Sequence, residues 1–408
     1  MASAYEAPTE TAGRWRPGTV RGREGFFRVA QRTDGCWSLL GPEGKPFFAK
    51  VVHGAASASP AADRPLPPDS AGRLRRWGFN TLGIGADAGL REDGLVYVAT
   101  ADFAGAASEV AAPGVRLPDV FAADWAARVA EHAAAGCTLH RGDTALLGWI
   151  TDENLAWGSA LPGQPGLLQV CLSLEPSFAA YHAAWEFVLA LHGGRLETLA
   201  RAWGVPVPNK ETVRDWTRRD RGVVSRGYLR DETRWVREWA RRYFTATAAA
   251  IRAADPDHLV LGCRFRRAAP AAVQAECVYP AVDVAMPVWT DLPGTDSQTL
   301  HPVLAGEVAW DDPEFQRAPA TGPARRLTSV ERMLRRARTA LDRMARHPAV
   351  VGYAWAQWQD AAGAVPPFGR GLVHADGTEA REHTELLAPF NARIENLRRP
   401  ERVAVPSP

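Results

Sequence analysis

Leu146-Leu147-Gly148-Trp149-Ile150-Thr151-Asp152-Glu153-Asn154 is an apolar, β-branched run that ends in three polar residues, and its reading decides the fold. Its length and composition suit a strand buried on both faces, as in a parallel sheet. The carboxylates at its end must then be solvated, paired or used for chemistry. A second run of this kind, Pro302-Val303-Leu304-Ala305-Gly306-Glu307, also ends in a carboxylate.

Working outward, six more such runs bring the candidate strands to eight: Pro46 to His53, Asn80 to Gly85, Leu95 to Phe103, Leu146 to Asn154, His258 to Phe265, Val282 to Trp289, Pro302 to Val308 and Val350 to Trp358. Helical patterns at Ser70 to Trp77, Asp124 to Ala135, Asp231 to Ala254 and Ser329 to Arg346 fall between several of them. Alternating strands and helices with eight strands predict an α/β chain folded as a (β/α)8 TIM barrel. Gly25 to Val29 and Cys36 to Leu40, with the Gly41-Pro42-Glu43-Gly44 turn after them, read as an N-terminal β-hairpin placed to plug the barrel floor. The stretch from about 155 to 257 is too long for an ordinary connection, and its helical segments Pro176 to Leu191 and Leu196 to Trp203 predict a helical insertion after the fourth strand. The expected organisation is one barrel domain over 23–397, with loosely held ends at 1–22 and 398–408.

Bulk properties narrow the function. With 48 basic and 46 acidic residues the net charge is +2, too balanced for a nucleic-acid or anionic-membrane surface. Cys36, Cys137, Cys171, Cys263 and Cys277 are odd in number with no CxxC spacing, which suits reduced thiols and neither a disulfide framework nor a zinc site. The start of the chain lacks an apolar leader and no membrane-length apolar run occurs, so a cytoplasmic protein is expected. No metal or cofactor is called for. Fifteen Trp suit either core packing or a cleft that stacks on sugar rings.

Two carboxylates on different strands of one barrel are what cleavage of a glycosidic bond requires: one group protonates the leaving oxygen, the other attacks the anomeric carbon or activates water. Glu307 and Glu153 are the candidates. Gly306 would allow close approach beside Glu307, whose structural alternative is a barrel-mouth ion pair with Arg264. Asp152 and Asn154 either contact substrate or shape the following turn. His53 is expected at the rim of the first strand as a hydrogen-bonded histidine within reach of substrate. Trp289, Trp355 and Trp358 are candidate sugar platforms or core, and Gln357 and Asp360 candidate partners for hydroxyls. The expected partner is an oligosaccharide or other small molecule.

Several segments taken in order carry a resemblance: Lys45-Pro46-Phe47-Phe48, Leu74-Arg75-Arg76-Trp77-Gly78-Phe79-Asn80-Thr81-Leu82, Leu117-Pro118-Asp119-Val120-Phe121, Leu147-Gly148-Trp149-Ile150-Thr151-Asp152, Asp255-Pro256-Asp257-His258-Leu259-Val260-Leu261-Gly262-Cys263-Arg264-Phe265 and Gly371-Leu372-Val373. From about Lys45 to Val373 the chain resembles β-agarase-like glycoside hydrolases of the retaining (β/α)8 clan. The resemblance implies an acid/base at the end of the fourth strand and a nucleophile at the end of the seventh, where Glu307 stands. The family pattern at the fourth strand is Asp-Asn-Glu followed by Leu-x-Trp, whereas this chain has Asp152-Glu153-Asn154 followed by Leu155-Ala156-Trp157. Asn154 thus stands where the proton donor is expected. Adjacent strand residues face opposite ways, so Glu153 inherits that role only if a bulge re-aims it. Three readings remain open: a retaining glycosidase using Glu307 and Glu153, a tailoring reaction on a polyhydroxylated metabolite, and a catalytically silent carbohydrate-binding protein.

Overall fold

The computed structural model describes residues 15–56, 69–158, 165–219, 225–266, 269–292, 301–310, 329–361 and 369–398. Most of the two loosely held ends expected from the sequence, 1–14 and 399–408, lies outside these residues.

The N-terminal hairpin forms from β1 (Arg28–Gln31) and β2 (Trp37–Leu40), joined antiparallel by β3 (Pro46–Phe47). Trp37 donates its backbone N–H to Pro348 O at 2.7 Å, just ahead of a strand that starts at Val350, which puts the hairpin at that strand's N-terminal end. The expected first strand therefore divides. Pro46–Phe47 belongs to the hairpin, and the sheet proper begins at β4 (Ala49–Val52).

Beyond it come α1 (Ser70–Arg76), β5 (Thr81–Leu82), β6 (Val96–Thr100), the small strands β7 (Glu109–Ala112) and β8 (Val115–Pro118), α2 (Trp125–Gly136) and β9 (Leu146–Glu153). The long excursion after β9 holds β10 (Ala156–Trp157), α3 (Leu167–Ser173), α4 (Ala179–Leu191), α5 (Leu196–Trp203), α6 (Lys210–Arg219) and the long α7 (Arg226–Ala254). The chain returns through β11 (Leu259–Arg264), α8 (Ala271–Gln274), β12 (Val303–Val308), α9 (Ser329–Arg346), β13 (Val350–Trp355), β14 (Gln357–Gln359), β15 (Gly371–Val373) and α10 (Arg381–Leu397).

Seven of these strands form one parallel sheet in the order β11-β9-β6-β5-β4-β13-β12, a TIM-barrel-like α/β fold. β4, β11, β12 and β13 are buried at every residue, which is why they read as unbroken apolar runs. The expected sixth strand, Val282 to Trp289, is not regular. It keeps one parallel bridge, Arg264 with Met286. The Asp283 carboxylate takes the Val260 N–H at 2.8 Å in place of a backbone carbonyl, and Pro287 has no N–H to offer a ladder.

Contacts divide the chain into two compact units, 1–98 with 144–147 and 292–408, and 99–143 with 148–291. In the second, α7 starts at Ser225, whose hydroxyl accepts the Tyr228 N–H at 3.2 Å. Trp235, Trp239 and Tyr243 recur every four residues along it and are fully buried. Phe121 stacks on Trp235 at 4.7 Å between centroids and meets Trp239 edge-on. These tryptophans are core; truncating one such ring to alanine costs about 3–5 kcal/mol. In the first unit Phe79, Tyr353 and Phe390 pack together under the sheet, and the Asn391 amide links the Tyr353 hydroxyl to Trp77 O. No helix among the described residues is long and apolar enough to cross a membrane.

Candidate active site

The two strand-end carboxylates lie in different units, and each is built in the same way. In the second unit β9 pairs with β11 through Ile150 with Gly262 and then Glu153 with Arg264, three steps along β9 against two along β11. This shift, at Thr151–Asp152, offsets the one just before it, where Trp149 pairs with Val260 and Ile150 with Gly262, so Glu153 stands opposite Arg264 at a local irregularity with no net change of register. Glu153 is half-buried, with Oε1 3.1 Å from Arg264 Nη1, the fifth-strand arginine singled out in the sequence. Asn154 leaves the strand with φ +56°, in the left-handed region, and its N–H reaches Arg264 O at 3.4 Å.

Asp152 points into the protein interior. Its Oδ1 accepts the Ala104 N–H at 2.8 Å, and its Oδ2 accepts the hydroxyl of Tyr243 from α7. The Cys263 thiol donates to the same hydroxyl at 3.4 Å and lies 3.3 Å from Thr151 Oγ1. Burial pushes the Asp152 carboxyl up to about 7, against the lowering effect of its two donors and with the help of nearby Asp102. Asp102, two residues past the end of β6, has φ +59°, so both non-glycine residues of positive φ among the described residues follow closely on strands of this unit.

In the first unit β12 pairs with β13 through Ala305 with Tyr353 and then Val308 with Trp355, again three steps against two. This shift falls at Gly306–Glu307 and offsets an opposite one between Val303 and Leu304, so Glu307 sits in a local bulge while the net register of the two strands is unchanged. Glu307 is 8% exposed, and Arg370 Nη1 lies 3.3 Å from its Oε1. His53, just past β4, is buried. Its Nδ1 accepts the Ile84 N–H at 3.0 Å, which leaves the proton on Nε2, donated to Gly306 O at 3.3 Å. The histidine thereby holds the peptide next to Glu307 as a neutral ring.

The other residues singled out in the sequence have these places. Trp355 is fully buried, packs on Trp310 and His383, and donates its indole N–H to Arg370 O at 2.8 Å. Trp358 is 1% exposed against Trp77 and presents no face to solvent. Asp360 is buried, with Oδ1 accepting Gly371 N–H at 2.7 Å and Oδ2 3.1 Å from His374 Nδ1. Gln357 is half-buried and donates to Gln359 O. Trp289 is half-buried in a short 3-10 turn, Trp289–Asp291, where a strand end was expected. Sequence reasoning missed Arg370 and Tyr243. Arg370 stood between two glycines in Gly369-Arg370-Gly371, the one signal that pointed to a tight backbone there. Among the described residues no group of His, Cys, Asp and Glu could hold a metal ion.

Comparison with known proteins bears on the fold. A β-agarase A from Vibrio sp. (strain JT0107) is 25% identical over 209 residues, 47% of this chain, and the chain spans 21% of that relative's length. Among solved structures, an exo-β-agarase superposes with a TM-score of 0.69 at 19% identity, covering 95% of this chain and 67% of the other. Another agarase gives 0.68 at 18% identity, covering 92% and 67%. A β-galactosidase from the psychrophilic Marinomonas ef1 gives 0.51 at 14% identity, covering 85% and 60%. No family model matches the chain. The fold is that of glycoside hydrolases acting on β-linked sugars, and the β-agarase-like resemblance read from the sequence stands.

Proposed function

We propose that this chain is a retaining glycoside hydrolase acting on a β-linked saccharide or glycosylated small molecule, with Glu307 as nucleophile and Glu153 as acid/base. One observation supports the reading: each carboxylate stands at a local register irregularity near the end of a parallel strand, and an arginine pairs with it. Bulges concentrate beside active sites because they re-aim a side chain that a regular strand would point away. In the first step Glu307 bonds to the anomeric carbon while Glu153 gives a proton to the departing oxygen. In the second Glu153 takes a proton from water, whose oxygen displaces Glu307. His53 and the bulge would hold Glu307 in line; Trp289, half-buried, and Asn154 remain candidates for substrate contact.

The interchange of glutamate and asparagine at the fourth strand favours a second reading, a tailoring reaction on a polyhydroxylated metabolite that needs no strong proton donor. General acid help is worth about 10²–10⁴ in rate. Under the second reading an activated aryl β-galactoside is cleaved while an oligosaccharide is not; under the first, both are. The probe follows the β-agarases and the β-galactosidase that share the fold. The direct test is incubation with a 2-deoxy-2-fluoro aryl β-galactoside and mass spectrometry of the peptides. We expect a glycosyl adduct on Glu307 in the wild type, with Glu307→Gln lacking both adduct and turnover. Full activity in that variant would remove the nucleophile assignment, and sugar binding with no turnover in any form would leave a silent binding protein.

A further inference from the structure

Between the register pairs Ile150 with Gly262 and Glu153 with Arg264, β9 and β11 fall out of step, and Thr151, Asp152 and Cys263 fill the gap. All three are buried. Their side chains are gathered by one hydroxyl from a third element, that of Tyr243 on α7, which accepts the Cys263 thiol at 3.4 Å and donates to Asp152 Oδ2. With its own proton committed there, the Cys263 sulfur is left to accept the Thr151 hydroxyl at 3.3 Å. The second Asp152 oxygen accepts the Ala104 N–H at 2.8 Å, which ties the same cluster to the segment after β6. Burial holds the Tyr243 hydroxyl and the Cys263 thiol well above their ordinary ranges, so both stay protonated donors. The phenol is walled in: Trp157 meets its ring edge-on at 5.6 Å between centroids, and Trp125 stacks on it at 6.4 Å. An apolar contact between α7 and the strand ends would pack as well. A satisfied polar cluster adds something else, the choice of a single arrangement.

On both strands the residue that Tyr243 holds comes directly before a member of the ion pair: Asp152 before Glu153, and Cys263 before Arg264. Adjacent strand residues face opposite ways, so a clasp on one face of the two strands fixes what the next residues present on the other. We infer that Tyr243 is a positioning residue for the acid/base, its hydroxyl clasping Asp152 and Cys263 from behind and so setting Glu153 against Arg264. The inference rests on Glu153 being the acid/base. A proton donor works within hydrogen-bond reach of the leaving oxygen, about 2.6–3.2 Å, and a misplacement of about 1 Å can cost about 10²-fold in rate. A glutamate side chain is long and flexible, so its reach depends on where its backbone and its arginine partner stand.

The test uses Tyr243→Phe, which removes the hydroxyl and keeps the ring, beside wild type, Cys263→Ala, Cys263→Ser and Glu153→Gln, each checked for fold by circular dichroism. kcat/KM is measured on a dinitrophenyl β-galactoside, whose leaving oxygen departs without a proton, and on an alkyl β-galactoside, whose leaving oxygen needs one. General loosening of the site lowers both alike, whereas a misplaced proton donor lowers the alkyl substrate selectively. Tyr243→Phe should lower kcat/KM for the alkyl galactoside about tenfold or more relative to the dinitrophenyl one. Cys263→Ala should do the same to a smaller extent, and Cys263→Ser, which keeps a donor, should recover most of the loss. Added to Glu153→Gln, Tyr243→Phe should bring no further selectivity. Equal losses on both substrates, or undiminished selectivity in the Glu153→Gln background, overturn the inference. Should Tyr243→Phe fail to fold, an unselective Cys263→Ala overturns it. A crystal structure of Tyr243→Phe in which Glu153 and Arg264 still stand 3.1 Å apart overturns it whatever the activity. If Glu153→Gln itself shows no selective loss, the acid/base reading of Glu153 falls, and the separation of that pair in Tyr243→Phe still decides the clasp.

Discussion

Asn154 adopts φ +56°, a conformation that asparagine tolerates far better than glutamate. The order Glu153-Asn154 thus has a local cause: the residue that follows β9 turns left-handed, and the glutamate stands one place earlier, at the end of the strand beside Arg264. At the same scale Asp152 makes a prediction. Its folded-state carboxyl is pushed up to about 7 from an ordinary 3.8, chiefly by burial. The folded state therefore binds this proton more tightly than the unfolded chain. The stability it contributes is fully present below about pH 4 and is lost as pH rises through about 7, at up to about 1.4 kcal/mol per pH unit. Glu232, half-buried and also pushed up to about 7 by desolvation, acts in the same direction. Asp152→Asn should flatten, without abolishing, the fall in unfolding free energy between pH 4 and 7; urea titrations at intervals across that range will show it. An unchanged slope would mean that Asp152 is ionised throughout.

Among the elements, the sheet strands were legible because parallel strands buried on both faces read as apolar runs, and β9, β11, β12 and β13 begin within a residue of where the sequence placed them. Val282 to Trp289 has the same composition, and only Asp283 and Pro287 betray that its ladder is cut to one bridge and a few backbone bonds, with the Asp283 carboxylate taking the Val260 N–H. The hairpin β7–β8 was missed although Pro113-Gly114 forms its two-residue turn, Ala112 pairing with Val115 and Gly114 at φ +81°. Its strands are only four residues long, in an alanine-rich stretch that favours neither period. Helix α10 was passed over because Pro389 lies inside it. Gly352 shows how closely the strands are packed: a Cβ there would meet the Ala49 backbone carbonyl and side chain. Gly352→Ala should lower stability by about 1–3 kcal/mol, read as a drop in Tm. A Tm equal to wild type would show that β13 can move away from β4 at no cost.

For the whole molecule, the TIM-barrel-like fold, the balanced charge and the resemblance all follow from features spread along the sequence, and they agree with one another. The candidate site was legible in part. Glu307 and Glu153 could be named because carboxylates at the ends of apolar runs stand out, while the register irregularities beside them have no residue signature. Arg370 was hidden because its role depends on a cradle assembled from Trp355, Asp360 and His383. The tryptophan count pointed two ways, and burial resolves Trp203, Trp235, Trp239, Trp310, Trp355 and Trp358 as core. Under the proposed function Glu307 and Glu153 perform a double displacement, which retains the anomeric configuration. Proton NMR of the first-formed sugar during cleavage of an aryl β-galactoside tests it most directly. The account predicts that the β-anomer appears first and mutarotates later, whereas an α-anomer as the initial product would contradict it.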